Sequence, residues 1–297
     1  MKVIFKVIGF FILSFVVSSC AYAENDKAFV WQVSSEQATV YLMGSIHFAD
    51  KSFYPLRKEI EEAYSRSNAL VVEMDINKVD AELYQQLLSE KGIFKDETTI
   101  KNVISEKTWL QLQQQLRHLE VPYDTVKNYK PGALVLTLAA IQVMQMGFDP
   151  ELGIDAYFLN RAASQHREII ELESLQQQLD LFLNMPDGEL LLKESLRSLD
   201  EAELLMADIV RFWKQGDDAQ MNKLLFEDAL KEYPAFSEIY DRLIYRRNRQ
   251  MTEKIESLLQ NKQPHNVYFV VVGSGHLIGA RGIVQTLQEK GYQIKRL

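Results

Sequence analysis

Two histidines share one local setting at distant points of the chain. His47 closes Tyr41-Leu42-Met43-Gly44-Ser45-Ile46-His47, and His276 closes Val270-Val271-Val272-Gly273-Ser274-Gly275-His276. Both read G-S-x-H after an apolar run rich in β-branched or aromatic residues, which predicts a strand. The glycines, Gly44 and Gly273, predict a sharp turn off each strand. The imidazoles then sit just past the strand ends, where open α/β sheets bind ligands. Two such ends predict one site built from two parts of a fold. Neutral imidazole is a common ligand for first-row metals. The chain has one cysteine, Cys20, so a metal would need histidine plus carboxylate. Two histidines, one carboxylate and open positions form a hydrolytic pattern.

Glu73 and Glu173 are the carboxylate candidates. Glu73 lies near the end of Ala69-Leu70-Val71-Val72-Glu73-Met74-Asp75, and Glu173 ends Glu168-Ile169-Ile170-Glu171-Leu172-Glu173. Charge at the end of an apolar strand is costly unless paired or bound to a cation. The competing reading is a carboxylate that caps a helix or meets water at the sheet edge. The two-residue period places Glu73 and Asp75 on one face. The pattern of Val71 to Asp75 repeats in Ile169 to Glu173, a weak internal symmetry. Asp155 opens a helical stretch and reads equally as a first-turn acid. His118, His166 and His265 lie in polar surroundings and read as ordinary surface histidines.

Arg247 and Asn248 fall in an apolar stripe. In the helix expected over 237–260 that stripe runs through Ile239, Leu243, Ile244, Met251, Ile255, Leu258 and Leu259. Arg247 is four after Leu243 and four before Met251, and Asn248 is four after Ile244. Arg246 and Arg249 point elsewhere and are expected in solvent. An inward arginine needs an acidic partner or an anionic ligand. It is then either a structural salt bridge, or a group that polarises a carbonyl or fixes a catalytic glutamate.

The elements that must position these groups follow from periodicity and breakers. Strands are expected over 29–33, 38–43, 69–75, 168–173 and 267–272, with an edge strand over 292–296. Helices are expected over 56–67, most of 81–121, 154–164, 189–215, 218–233, 237–260 and 283–290, with Gly216 and Gly291 as stops. The stretch 133–146 is apolar almost all round and predicts a buried helix, with Met144 and Met146 as core. The fold class is α/β: a mixed, largely parallel central sheet with flanking helices and a large helical insertion between two pseudo-symmetric halves. The insertion covers approximately 79–160 and 175–262.

Residues 1–23 read as a signal peptide. Lys2 and Lys6 precede an apolar run over 7–17, and Ala21-Tyr22-Ala23 offers small residues for cleavage. The run is too short for a membrane span. The expectation is export to the periplasm, with residues 24–297 as a single domain. The alternative is a lipoprotein box, Val17-Ser18-Ser19-Cys20, with the protein lipid-anchored in the envelope through Cys20. Cleavage after Ala23 leaves no cysteine, which excludes disulfides, thiol nucleophiles and thiolate zinc. The formal net charge is −8, and −10 once Lys2 and Lys6 are removed. That balance argues against nucleic acid as a partner.

Taken in order, the motifs resemble those of the TraB/GumN family, which includes the Tiki metalloproteases. The first G-x-x-H is Gly44 to His47. The acidic strand end is Val72-Glu73-Met74-Asp75, and the G-[IV]-D element is Gly153-Ile154-Asp155. L-E-[ST] is Leu172-Glu173-Ser174, with the Gln176–Gln178 run after it. R-N-x-x-[MW] is Arg247-Asn248-Arg249-Gln250-Met251. The final element is Gly273-Ser274-Gly275-His276-Leu277-Ile278-Gly279, with Ser274 where alanine is commoner. The resemblance spans Trp31 to Leu297. It implies a fold related to erythromycin esterase and to haem-uptake ChaN-like proteins, with both G-x-x-H elements in a metal or active site. Tiki members resemble metal-dependent proteases acting on secreted substrates, while other members serve pheromone shutdown or polysaccharide-linked roles.

The expectation from this resemblance is an exported metal-dependent hydrolase, in the first instance a peptidase acting on a peptide or protein. His47, Glu73 and His276 would hold a divalent ion, Mn²⁺ or Co²⁺, with Zn²⁺ also open. Glu173 would be a further ligand or the general base. Arg247 and Asn248 would steady the carboxylates or an oxyanion, and Asp155 would orient a histidine. Two other readings stand beside it. One is a non-catalytic periplasmic protein that sequesters a peptide or small ligand. The other is a metal-free esterase using Ser45 or Ser274.

Overall fold

The two G-S-x-H strands lie side by side. A computed structural model describes residues 26–79, 81–261 and 266–297. The expected signal peptide over 1–23, with Cys20, and His265 lie outside the described residues. Six strands form one sheet: β1 (Val30–Ser34), β2 (Ala38–Ser45), β3 (Ala69–Val72), β4 (Glu168–Glu171), β5 (Asn266–Gly273) and β6 (Gln293–Arg296). Their order is β4-β3-β5-β2-β1-β6. β4, β3, β5 and β2 run parallel, and β1 is antiparallel to both β2 and β6. The mixed, largely parallel α/β architecture expected from the sequence is therefore the one observed.

Central strands must be apolar on both faces, because helices cover both. All four residues of β3 are buried, and Tyr268 to Val272 of β5 are buried without interruption. The edge strands β4 and β6 read Glu-Ile-Ile-Glu and Gln-Ile-Lys-Arg, and charge on an edge discourages pairing with other chains. The helices Lys58–Arg66 and Ile154–Ser164 pack on the sheet through an aromatic cluster. Ring centroids of Tyr64, Phe158 and Phe269 stand 4.7 to 5.5 Å apart.

Register sets up the site. Gly44 pairs with Val272 and Ser45 with Gly273 across the parallel β2/β5 ladder. The glycines do not serve the purpose expected of them. Gly44 lies inside β2, Gly273 has φ −50°, and neither has a positive φ. Close approach is the reason instead. A Cβ on Gly44 would stand 2.9 Å from Ser274 Oγ and 3.0 Å from Phe29 Cβ.

Four other expectations are corrected. β3 stops at Val72, so strand alternation does not carry on to Asp75. Asp75 instead caps the 3₁₀ turn Ile76–Lys78, its Oδ1 accepting from Asn77 N at 3.2 Å. The long helix over 189–215 is two helices, Gly188–Asp200 and Ala202–Gln215, broken at Glu201. The first buries Leu191, Leu192, Leu196 and Leu199 in a separate helical core, whereas the second delivers Phe212 and Trp213 to the sheet core. A straight helix is expected from local pattern, but the two packing targets override it. Met144 is 57 % exposed rather than core, and Met146 is only partly buried, because the helix Pro131–Gln145 covers one face alone. The helices expected over 218–233 and 237–260 each contain a π-turn, Lys223–Glu227 and Asp241–Tyr245.

Candidate active site

Glu73 is the first residue beyond β3, and Glu173 lies two beyond β4. The backbones are tied where they leave the sheet, with Glu173 N donating to Glu73 O at 2.7 Å. Both carboxylates are buried, 7 % and 8 % exposed. Burial of two like charges requires compensation, and Arg247 supplies it. Its Nη2 donates to Glu73 Oε2 at 2.6 Å and to Glu173 Oε2 at 2.7 Å, and its Nε donates to Glu173 Oε1 at 2.8 Å. Nη1 donates to the Leu243 carbonyl at 3.0 Å, which fixes the guanidinium plane. Gln178 makes a second bridge, donating from Nε2 to Glu73 at 3.2 Å and to Glu173 at 3.1 Å. The other oxygen of Glu73, Oε1, accepts from Gly273 N at 2.6 Å.

The histidines are fixed through Nδ1. Asn248 is 2 % exposed and donates from Nδ2 to the Arg281 carbonyl at 2.8 Å. That bond orients the amide, so Asn248 Oδ1 faces His276 Nδ1 at 2.6 Å and must accept its proton. His276 is therefore the Nδ1–H tautomer when neutral, with the Nε2 lone pair left over. Nε2 stands 3.7 Å from Glu73 Oε1. His47 Nδ1 likewise faces an acceptor, Asp155 Oδ1, at 3.1 Å. Histidines that bind metals commonly have such a partner on the second nitrogen.

Gly273 opens a space among these groups. A Cβ there would stand 3.3 Å from Glu73 Oε1, 3.3 Å from His47 Nε2 and 3.6 Å from His276 Cδ2. Both imidazoles and one carboxylate oxygen thus border the volume that a side chain would fill. Two imidazoles and a carboxylate fit a divalent first-row ion in kind, and with each Nδ1 facing an acceptor it is the Nε2 atoms that an ion would meet. Among the described residues, no group of three or more His, Cys, Asp or Glu side chains stands as a ready-made metal cluster. Glu73 is drawn instead toward Arg247, Gln178 and Gly273 N.

The charges follow from these contacts. Burial opposes ionisation of Glu73, but His276, His47, Arg247 and the Gly273 N–H outweigh it and lower its pKa to about 2. Burial dominates at His276 and lowers its pKa to about 4, despite Glu73. The His47 side chain is 53 % exposed. Desolvation works to lower its pKa, but Asp155 and then Glu73 outweigh that and raise it to about 9. The paired carboxylates hold Arg247 above its usual value against the cost of its burial.

The structure thus brings His47, Glu73, Asp155, Glu173, Arg247, Asn248, Gly273 and His276 into one contact network. Gly44 lies behind it, where its carbonyl accepts from Trp213 Nε1 at 2.8 Å. Arg246 is exposed and pairs with Asp241, and His118 and His166 are exposed. Sequence reasoning missed Gln178 as a site residue. Its signal was the capping box at Ser174 and Gln177, which begins the helix Leu175–Leu183 immediately after Glu173 and points its first turn at the carboxylates. Neither serine has a base. Ser274 Oγ donates to the Ser45 carbonyl at 2.9 Å, and the buried Ser45 Oγ has no hydrogen-bond partner. A cleft of about 300 Å³ opens on His47, Glu73, Asp155 and Gln178. Larger hollows beside Trp31 and beside Tyr54 contain none of the histidines, and none of Glu73, Glu173 or Arg247.

The model of the TraB/PrgY/gumN family matches residues 29–296. The chain belongs to the TraB/PrgY/gumN family. Within reach of this family member is the uncharacterized protein YbaP of Escherichia coli (strain K12), 25 % identical over 84 % of this chain and 87 % of that one. The metalloprotease TIKI homolog of Amphimedon queenslandica is 41 % identical, over 20 % of this chain and 11 % of that one. Metalloprotease TIKI2 of Xenopus tropicalis is 20 % identical over 92 % of this chain and 60 % of that one. No solved structure matches the chain.

Proposed function

We propose that this TraB/PrgY/gumN family member is an exported metal-dependent hydrolase that acts on peptides. One observation carries the reading. Both histidines turn Nδ1 to a fixed acceptor, which directs both Nε2 atoms toward Glu73 Oε1 and the space at Gly273; that of His276 carries a lone pair, and an ion there would take the place of the Nε2 proton that His47 holds at neutral pH. The similarity to proteins named metalloproteases supports the same class. His47, His276 and Glu73 would hold the ion, Mn²⁺ or Co²⁺ before Zn²⁺. An ion in that place supplies a Lewis acid for a carbonyl oxygen and a water of lowered pKa.

The protein's own groups do the rest. Asp155 and Asn248 hold the two rings in orientation and tautomer. Arg247 helps to keep Glu73 ionised, and with Gln178 it holds Glu73 and Glu173 in place. Glu173 would move a proton as general base only on giving up an Arg247 or Gln178 donor, and Arg247 would then face charge that develops on a substrate oxygen.

The test is hydrolysis of a mixed peptide library by the mature chain, purified without chelators and supplied with Mn²⁺, Co²⁺ or Zn²⁺. Metal-dependent cleavage that is lost in His47→Ala supports the proposal. Tight metal-independent peptide binding without turnover in any metal supports the second reading, a sequestering protein. What favours that second reading is that both Glu73 oxygens already have protein donors.

A further inference from the structure

The cleft beside His47 is lined by two kinds of residue. His47, Glu73, Asp155 and Gln178 are polar, whereas Phe48, Met74, Ile76 and Pro150 are apolar. Clustered apolar groups left open to solvent call for a partner. Ile76 is 39 % exposed, yet it does not hang on a loose loop. Its 3₁₀ turn is held on three sides. Asp75 pairs with Lys78 at 3.0 Å, Asp75 N donates to Glu171 Oε1 at 2.8 Å, and Asn77 Nδ2 donates to Asn160 Oδ1 at 3.2 Å. Phe48 and Pro150 flank a second fixed point. There Ala49 and Asp149 exchange backbone hydrogen bonds of 3.3 and 2.9 Å, and Asp149 Oδ1 accepts from Glu151 N at 2.8 Å. The apolar groups are thus presented by pinned turns.

The charged groups in the lining are already matched. Asp155 has His47, and Glu73 has Arg247, Gln178 and Gly273 N. With no ion bound, a charged side chain entering the cleft would lose water and find no free counter-charge. The volume, about 300 Å³, is at the small end for ligand sites and suits one side chain with its flanking backbone.

We infer that the cleft selects peptides carrying a leucine-, methionine- or phenylalanine-like side chain next to the bond presented to His47 and Glu73. The position of the bond rests on the hydrolase proposal, and the preference for an apolar side chain rests on the cleft alone. The probes are blocked hexapeptides that differ only at the central residue: leucine, phenylalanine, lysine or aspartate. Cleavage is followed by mass spectrometry with Mn²⁺, and binding by shifts of the Ile76 and Met74 methyl resonances. The expected result is at least a tenfold preference for leucine and phenylalanine over lysine and aspartate in both readouts. Ile76→Lys, on an exposed turn, should cut that preference about tenfold with an unchanged circular dichroism spectrum. Met74→Gln should weaken it in the same direction. Equal binding of all four peptides, or a preference that survives both substitutions, overturns the inference. Binding with the apolar preference but no cleavage overturns the hydrolase reading and leaves this one standing. Failure of all four peptides to bind overturns it.

Discussion

Replacing Arg247 by leucine removes one guanidinium from between two buried carboxylates. The side chains of Glu73 and Glu173 are 9 % and 6 % exposed, so water cannot take over its place. Breaking a buried pair by deleting one partner costs about 3–5 kcal/mol. Gln178 and Gly273 N still donate to Glu73, which places the expected loss at the lower end, about 3 kcal/mol. With a urea m-value of roughly 2–3 kcal/mol/M, the unfolding midpoint falls by roughly 1–1.5 M. The loss should depend on pH in a definite direction. In the native protein Glu73 is held near 2, partly by Arg247. Without the guanidinium that pKa rises, so the carboxylate can take a proton and shed its unpaired charge as pH falls. The deficit relative to the parent is therefore full at pH 7.5 and smaller at pH 4.5. Arg247→Lys keeps the charge but cannot span three oxygens, and should recover less than half of the loss. Urea titrations at both pH values decide the matter. A loss below 1 kcal/mol, or one equal at both pH values, would refute the claim that Arg247 compensates these carboxylates.

Four further outcomes are expected. Gly273→Ala keeps an ordinary backbone conformation, so its stability stays within about 1 kcal/mol, but its methyl fills the space beside His47 and Glu73 and abolishes metal uptake by calorimetry. Gly44→Ala should instead cost about 1–3 kcal/mol in urea unfolding, because its methyl meets Ser274 and Phe29. Asn248→Ala strands the His276 Nδ1–H and the Arg281 carbonyl, costs about 2–4 kcal/mol, and releases the tautomer; long-range ¹H–¹⁵N spectra should show Nδ1–H alone in the parent and a mixture in the variant. His276 takes a proton near 6.5 when unfolded and near 4 when folded, so acid favours the unfolded chain across that window. Metal-free protein should lose roughly 3 kcal/mol between pH 7 and pH 4 from this group, and His276→Gln should flatten that part of the stability profile.

Much of the site was legible because several of its members break a local rule. Acids end apolar strands at Glu73 and Glu173, a cation sits in an apolar stripe at Arg247, and a motif recurs at His47 and His276. Such conflicts between residue type and burial can be read without coordinates. The sheet order could not be read this way. That β5 inserts between β2 and β3 depends on packing across the whole chain, and no local pattern encodes it. The glycines were placed correctly but for a different reason. Their value is the missing Cβ, and a close approach by Ser274 or His47 leaves no trace in nearby residues. The break at Glu201 was hidden likewise, since the residues around it are good helix formers and only their separate destinations part them. Gln178 was overlooked because a glutamine among three, in a polar helix start, breaks no rule at all.

The bond from Gly273 N to Glu73 joins residues 200 positions apart. Closing so long a loop comes late in folding, after local helices have formed. A nascent chain emerging N-terminus first would carry His47 and Glu73 through both helical stretches before β5 exists to receive them. The cavity that joins the two imidazoles therefore cannot assemble during synthesis of the first two thirds of the polypeptide. A ligand of that cavity could be taken up only once the chain through His276 has been made and β5 has joined the sheet.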